Sequence, residues 1–159
     1  MLDYFHDKEA FMKELSLIGK NKGDLVVKEG DSGNNMFIIV EGKVKVLLKR
    51  GKKEIILATL EKGNFFGEMS MFGGNPRSAT VKALTDLKLL RITRKDIERL
   101  SETNPKLLSE FAMGLCTELC QRISETNTSL ESYYHINRAT LRNPKFRNFL
   151  QKIWNEKEE

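Results

Sequence analysis

Phe65-Phe66-Gly67-Glu68-Met69-Ser70-Met71-Phe72-Gly73-Gly74-Asn75-Pro76-Arg77-Ser78-Ala79-Thr80-Val81 is the stretch from which the fold of this chain can be read. Gly67 lets the chain turn sharply and lets backbone approach a ligand closely. Residues 68–72 have room for about one helical turn, and a helix start offers unpaired N–H groups to an anion. Gly73-Gly74-Asn75-Pro76 brings the chain back, and Arg77 opens the next strand with its guanidinium towards the same anion. A guanidinium suits phosphate oxygens because its fork can give two parallel bonds. Glu68 would repel a phosphate unless it faced another part of the ligand, such as sugar hydroxyls. An N–H nest, an arginine and a hydroxyl-accepting carboxylate together describe a sugar phosphate of modest charge.

Short runs rich in β-branched residues, separated by glycine turns, surround this stretch from residue 25 to about 92. Leu25-Val26-Val27 runs into the turn cluster Glu29-Gly30-Asp31-Ser32-Gly33-Asn34-Asn35, and Met36 to Val40 follows. Lys43-Val44-Lys45-Val46 alternates charge with valine, the mark of a half-buried strand. Lys49 to Lys53 reads as an exposed basic hairpin tip before Glu54 to Leu60, and Ala79 to Ala83 and Leu87 to Ile92 add two strands. Such spacing predicts an all-β sandwich or barrel. Helical periodicity brackets it. Asp7 is an N-cap for a helix to about Ile18, with Phe11, Leu15 and Ile18 on one face. Arg94 to Glu102 reads as a helix. Pro105 opens a long one to about residue 130, striped by Leu108, Phe111, Ala112, Leu115, Leu119, Ile123, Thr126 and Leu130.

The chain has 159 residues, enough for one domain with a core that hides roughly two thirds of the unfolded surface. Hydrophobic residues make up 40% and charged residues 31%, which excludes a disordered chain. The longest apolar run, Met36 to Val40, is far short of the roughly 18 residues that a membrane span needs. The first residues lack a basic n-region, so the expected address is cytoplasmic. Twenty-seven basic against 22 acidic residues leave +5, concentrated in Arg138, Arg142, Lys145, Arg147 and Lys152. Such a tail can meet nucleic acid, an acidic protein or an anionic membrane.

Gly67-Glu68-Met69-Ser70 through Asn75-Pro76-Arg77-Ser78-Ala79-Thr80-Val81 resembles the phosphate-binding cassette of the cyclic-nucleotide-binding domains. These domains occur in bacterial catabolite activator proteins, in regulatory subunits of cyclic-AMP-dependent protein kinase and in cyclic-nucleotide-gated channels. Glu29-Gly30-Asp31, Met36 to Ile39, Gly42 to Val46 and Lys62 to Glu68 are similar to the family's barrel turns. The resemblance covers roughly residues 10 to 130. It implies an α+β fold, an eight-stranded jelly-roll β-barrel flanked by N- and C-terminal helices. The expected division is a nucleotide-binding domain over 1–130, with the barrel at about 20–93 and helices at 94–130, and a helical extension over 131–159.

The resemblance also implies roles. Glu68 accepts the ribose 2′-hydroxyl beside the Gly67 backbone, and Arg77 pairs with the cyclic phosphate. Backbone N–H groups near Met69, Ser70 and Ser78 complete the phosphate shell, and Val46, Leu57 and Val81 form the apolar wall. The Ser78 hydroxyl can help hold a guanine, but cyclic AMP is the expected ligand over cyclic GMP. Arg122 and Ile123 fall near the positions where the gene regulators place base-contacting hydroxyls, so they are expected to form the lid. The gene regulators add a helix-turn-helix after the long helix. The residues beyond Leu130 show no such pattern, so DNA is not an expected partner.

The resulting expectation is a non-catalytic receptor without a metal, which acts on an unknown protein effector. The alternative is an interaction or scaffold protein with a vestigial pocket and an active basic tail. Leu108, Phe111, Leu115, Leu119 and Ile123 approach an a/d seam for a homodimer, or else pack on the barrel. Cys116 and Cys120 share one helix face and are expected as buried or half-buried thiols. Met69 and Met71 are expected to pack in the cassette turn. Phe146, Phe149, Leu150, Ile153 and Trp154 define one apolar face of a last helix over 144–155, expected to move with the lid.

Overall fold

A computed structural model describes residues 6–142 and Pro144. Apart from Pro144, the apolar-face helix expected over 144–155, with Trp154, lies outside the described residues. The chain divides into two compact units, Met1–Leu115 and Cys116–Glu159.

In the first unit, strands β1 (Ser16–Lys20), β2 (Leu25–Val27), β3 (Asn35–Glu41), β4 (Lys43–Arg50), β5 (Lys53–Glu61), β6 (Phe65–Phe66), β7 (Thr80–Ala83) and β8 (Leu87–Thr93) build two sheets. Each sheet has four antiparallel strands, in the orders β1-β8-β3-β6 and β2-β7-β4-β5. Helices α1 (Lys8–Lys13), α2 (Glu68–Gly73), α3 (Arg94–Thr103) and α4 (Pro105–Arg142) precede, interrupt and follow them. This is the expected α+β jelly roll with flanking helices.

The unbroken run Met36-Phe37-Ile38-Ile39 is buried on both faces of β3, as a strand covered on both sides must be. In β4, Val44 and Leu47 are wholly buried, although three residues apart, because a register shift against β5 falls between Val46 and Leu47. Phe37, Ile39, Val44, Phe66, Val81, Ala83, Leu87 and Leu89 form a continuous core cluster. Phe37 and Phe66 stack with ring centroids 5.2 Å apart, so β6, the strand that delivers the cassette, is anchored in that core.

The first helix is shorter than its periodicity suggests. Asp7 caps it, its side chain accepting a hydrogen bond from the Ala10 N–H, but it ends at Lys13. Ser16–Lys20 forms a five-residue ladder with Leu87–Arg91 instead. The i, i+4, i+7 pattern of Phe11, Leu15 and Ile18 is met by a single turn followed by a strand, because a ladder with β8 satisfies more backbone groups than a further exposed turn. Thr93 and Asp96 form a capping box at the start of α3.

The long helix continues to Arg142, past its expected end near 130. Its expected dimer seam is already partly occupied. Phe111 and Leu115 are buried in the first unit, with Phe111 stacked on Phe11 at 5.8 Å. The expectation for the thiols is also corrected, since Cys116 and Cys120 are both exposed. Among the described residues, none buries either thiol.

Candidate functional site

Gly67 begins the site. Its φ of 89° is left-handed, the conformation that a glycine adopts without strain and that turns β6 directly into α2. Gly67 has no side chain to cap α2 with, and the first-turn N–H groups of Met69 and Ser70 have no intrahelical acceptor. Gly74, left-handed at 69°, ends the helix. Arg77 then enters the barrel wall. Its N–H donates to the Asp31 carbonyl at 2.8 Å, and its own carbonyl accepts from the Gly30 N–H at 2.9 Å.

The Arg77 side chain is buried, the residue being only 6% exposed. Nη1 donates to the Asn35 carbonyl at 2.8 Å and to the Gly67 carbonyl at 3.0 Å, and Nη2 donates to Asn35 Oδ1 at 2.6 Å. All three acceptors are neutral oxygens. Burial pulls the guanidinium below its ordinary pKa, and the negative charge of Glu68 acts in the opposite direction. The charge is thus held in place by dipoles while no carboxylate bonds it, an arrangement that favours an incoming anion. Glycine on both sides leaves room for it as it is placed. A Cβ on Gly33 or on Gly67 would collide with the guanidinium.

Asn35, which bonds the guanidinium, and Gly33, which lies against it, are not among the site residues expected from the sequence. Both lie in the turn cluster before β3, 42 positions from Arg77 in the case of Asn35. The only signal was the glycine-rich turn itself.

Gly67, Glu68, Met69, Ser70, Arg77 and Ser78 are therefore brought together around α2. The Ser78 hydroxyl donates to Met69 Sδ at 3.7 Å, a weak acceptor that it can leave for a ligand. Met71 packs in the turn as expected, wholly buried, but Met69 does not, being 61% exposed. Its position one residue into α2 turns it outwards. Val46 and Val81 are direct cross-strand partners on β4 and β7. Val81 belongs to the core, whereas Leu57 stands 54% exposed on β5 at the sheet edge. Arg122 and Ile123 stand on α4 within the unit Cys116–Glu159.

A cavity of about 530 Å³ opens between the Gly30–Asn34 turn and the Gly74–Pro76 loop, with Arg94 at its edge. Of the residues expected to bind nucleotide, only Ser70 lines it, so it borders the cassette from another side. Arg94 is engaged there, Nε donating to the Met71 carbonyl at 2.8 Å. Among the described residues, no three His, Cys, Asp or Glu side chains gather as metal ligands, and no helix is long and apolar enough to cross a membrane.

The cassette geometry agrees with a direct match to a known family. The profile of the cyclic nucleotide-binding domain matches residues 8–104. The chain belongs to the cyclic nucleotide-binding domain family. A cyclic nucleotide-gated potassium channel of Rhizobium etli is 41% identical over 85 residues, covering 54% of this chain and 22% of the channel. The cAMP-activated global transcriptional regulator CRP of Salmonella typhimurium is 34% identical over 104 residues, or 64% of this chain and 48% of the regulator. The chain thus spans less than half the length of either relative. Among solved structures, the catabolite activator protein of Thermus thermophilus superposes with a TM-score of 0.68 at 28% identity, covering 79% of this chain and 58% of that one. A cyclic nucleotide-binding domain therefore accounts for the barrel, the cassette and the helix that follows.

Proposed function

We propose that the chain is a non-catalytic receptor domain for a cyclic nucleoside monophosphate, with cyclic AMP preferred over cyclic GMP. The observation that carries the reading is the buried Arg77 guanidinium, bonded to neutral oxygens alone. A cyclic phosphate with one negative charge supplies the compensation that those oxygens lack. Glu68 takes the ribose 2′-hydroxyl beside Gly67, and the N–H groups near Met69, Ser70 and Ser78 complete the phosphate shell. Val46, Leu57 and Val81 form the wall against sugar and base. Arg122 and Ile123 cover the purine when α4 closes over it. Closure needs the ligand to bind the closed state more tightly than the open one, and that difference drives the change presented to a protein effector. The preference for cyclic AMP is supported by the CRP relative, which is cAMP-activated. The setting is cytoplasmic, and dimerisation belongs to the same reading.

Titration calorimetry on the full chain tests this. Heat is expected with cyclic AMP and, more weakly, with cyclic GMP, and it should vanish in Arg77→Ala while circular dichroism stays native. Chromatography of the incubated nucleotide is expected to show no turnover. Absence of heat with both nucleotides would overturn the reading.

A further inference from the structure

The cavity beside the cassette has a chemistry that the nucleotide site does not use. It measures about 530 Å³ between the Gly30–Asn34 turn and the Gly74–Pro76 loop. That is room for a small organic molecule. Arg94 is the charged residue of its lining, which includes no acid, and Asp31 of the same turn does not line it. Arg94 Nε donates to the Met71 carbonyl at 2.8 Å, which fixes the plane of the guanidinium at the cavity edge. Among the described residues, neither terminal nitrogen of Arg94 meets a carboxylate or any other acceptor.

Ser70 supplies a second unengaged group. The residue is only 2% exposed and it lines the cavity. Its hydroxyl has no hydrogen-bond partner among the described residues, where no sealed side-chain polar atom lacks one. The hydroxyl therefore opens into the cavity. Ser32, Asn34 and Asn75 add another hydroxyl and two amides. The wall thus offers donors, a fixed guanidinium fork and no negative charge.

We infer that this cavity is a second ligand site, for a small organic molecule that carries a carboxylate or a phosphate, and that its occupancy tightens nucleotide binding in the cassette. The Arg94 fork can give two parallel bonds to either oxyanion. The hydroxyls and amides hold the polar remainder of the molecule.

The coupling follows from the backbone that forms the walls. Gly33 both lines the cavity and lies against the Arg77 guanidinium. Asn35, two positions on, bonds that guanidinium through Oδ1 and its carbonyl. The opposite wall, Gly74–Pro76, leads directly into Arg77. An occupant that bonds both walls restrains the turn and the loop that position Arg77, so a nucleotide has less to order when it binds. The effect is reciprocal, and nucleotide tightens the second site by the same factor. The second site stands without nucleotide, and only the coupling rests on the proposed function.

Amide chemical shifts of the isotope-labelled full chain test the site residue by residue. Titration with inorganic phosphate and, separately, with citrate, at constant ionic strength, is expected to move the N–H signals of Ser32, Gly33, Asn34 and Asn75 saturably with at least one of them. The stronger probe identifies the oxyanion. Arg94→Gln is expected to weaken that binding roughly tenfold to a hundredfold, the loss of hydrogen bonds to a charged group. Asn34→Asp keeps Arg94 and nearly the same shape but brings a negative charge to the wall, so it should weaken binding too. No saturable shift with either probe, or undiminished binding in either folded variant, would overturn the site. Shifts centred on Gly67, Met69 and Ser78 that vanish in Arg77→Ala would put the anion in the cassette and overturn it as well. Calorimetry with cyclic AMP should then show an affinity about fivefold higher or more with the stronger probe present. Equal affinity with and without it would overturn the coupling. No nucleotide heat under either condition would fail the proposed function and the coupling with it, while the shift map still decides the second site.

Discussion

The cassette and the β4–β5 hairpin each set an arginine beside a glycine turn, and they use it in opposite ways. In the hairpin, Arg50 is 55% exposed at the side chain and bonds the Glu29 carboxylate at 2.8 Å. Its charge is already answered, by a carboxylate and by water. In the cassette, Arg77 is buried and bonds three neutral oxygens. Its position is set while its charge is not neutralised by any bonded acid. The difference teaches that a basic residue near a turn marks a ligand site only when burial and the nature of its acceptors leave the charge in need of a partner.

Several substitutions can break or sharpen that contrast. The largest effect belongs to Arg77→Ala, which should lose about 2–5 kcal/mol of nucleotide binding by calorimetry. Arg50→Ala, run beside it, should bind like wild type. Equal losses in the two variants would erase the contrast. Since Arg77→Ala also strips donors from the Asn35 and Gly67 carbonyls, Arg77→Lys serves as a companion that keeps the charge. It should bind more weakly than wild type because the fork is gone.

Glu68→Ala should weaken binding by about 1.5–3 kcal/mol, the worth of a hydrogen bond to a charged group. The loss should shrink with a 2′-deoxy cyclic nucleotide, which offers no hydroxyl there. An undiminished loss would detach Glu68 from the ribose.

Gly33→Ala sharpens the comparison sterically. Its Cβ would enter the guanidinium, an overpacking of about 1–3 kcal/mol, and binding should fall with stability. Gly51 in the hairpin turn has a φ of 61° and open space around it. Gly51→Ala should cost about 1–2 kcal/mol of stability from the left-handed backbone alone and leave binding unchanged. Urea melts paired with calorimetry separate the two.

The smallest effect is electrostatic. The Arg50 hydrogen bond holds Glu29 below the usual carboxylate range. A carboxylate lowered in the folded state stabilises it above the unfolded pKa and loses that contribution as pH falls through the folded one. Both groups are exposed, so the contribution is small and salt screens it. The urea midpoint of wild type should therefore drop more than that of Glu29→Gln on acidification into the carboxylate range at low salt. The difference should close in high salt.

What could be read without coordinates follows from how local each signal is. The strands, the hairpin at Gly51-Lys52 and the helical turn after Gly67 are legible because glycines and β-branched runs act within a few residues. Ser16–Lys20 was not legible as a strand, because its partner lies some 70 positions away in β8 and the same residues also fit a helix face. Asn35 escaped notice for a similar reason. Nothing near it in the chain says that its amide oxygen and carbonyl will meet Arg77. On α4 the difficulty is ranking. Phe111 and Leu115 share helical spacing with Ile123 and Leu130, and periodicity alone does not say which stripe meets the barrel.

The sequence by itself determined the turn chemistry, the two periodicities and the cassette residues from Gly67 to Ser78. These depend on backbone freedom and residue type over short spans. Only the tertiary structure decided that Arg77 is buried under two glycines and held by neutral oxygens. It also decided that Phe111 and Leu115 go to the core while Cys116, Cys120, Ile123 and Leu130 remain outside. Those outcomes depend on which distant surfaces come together and remove water, and no local preference carries that information.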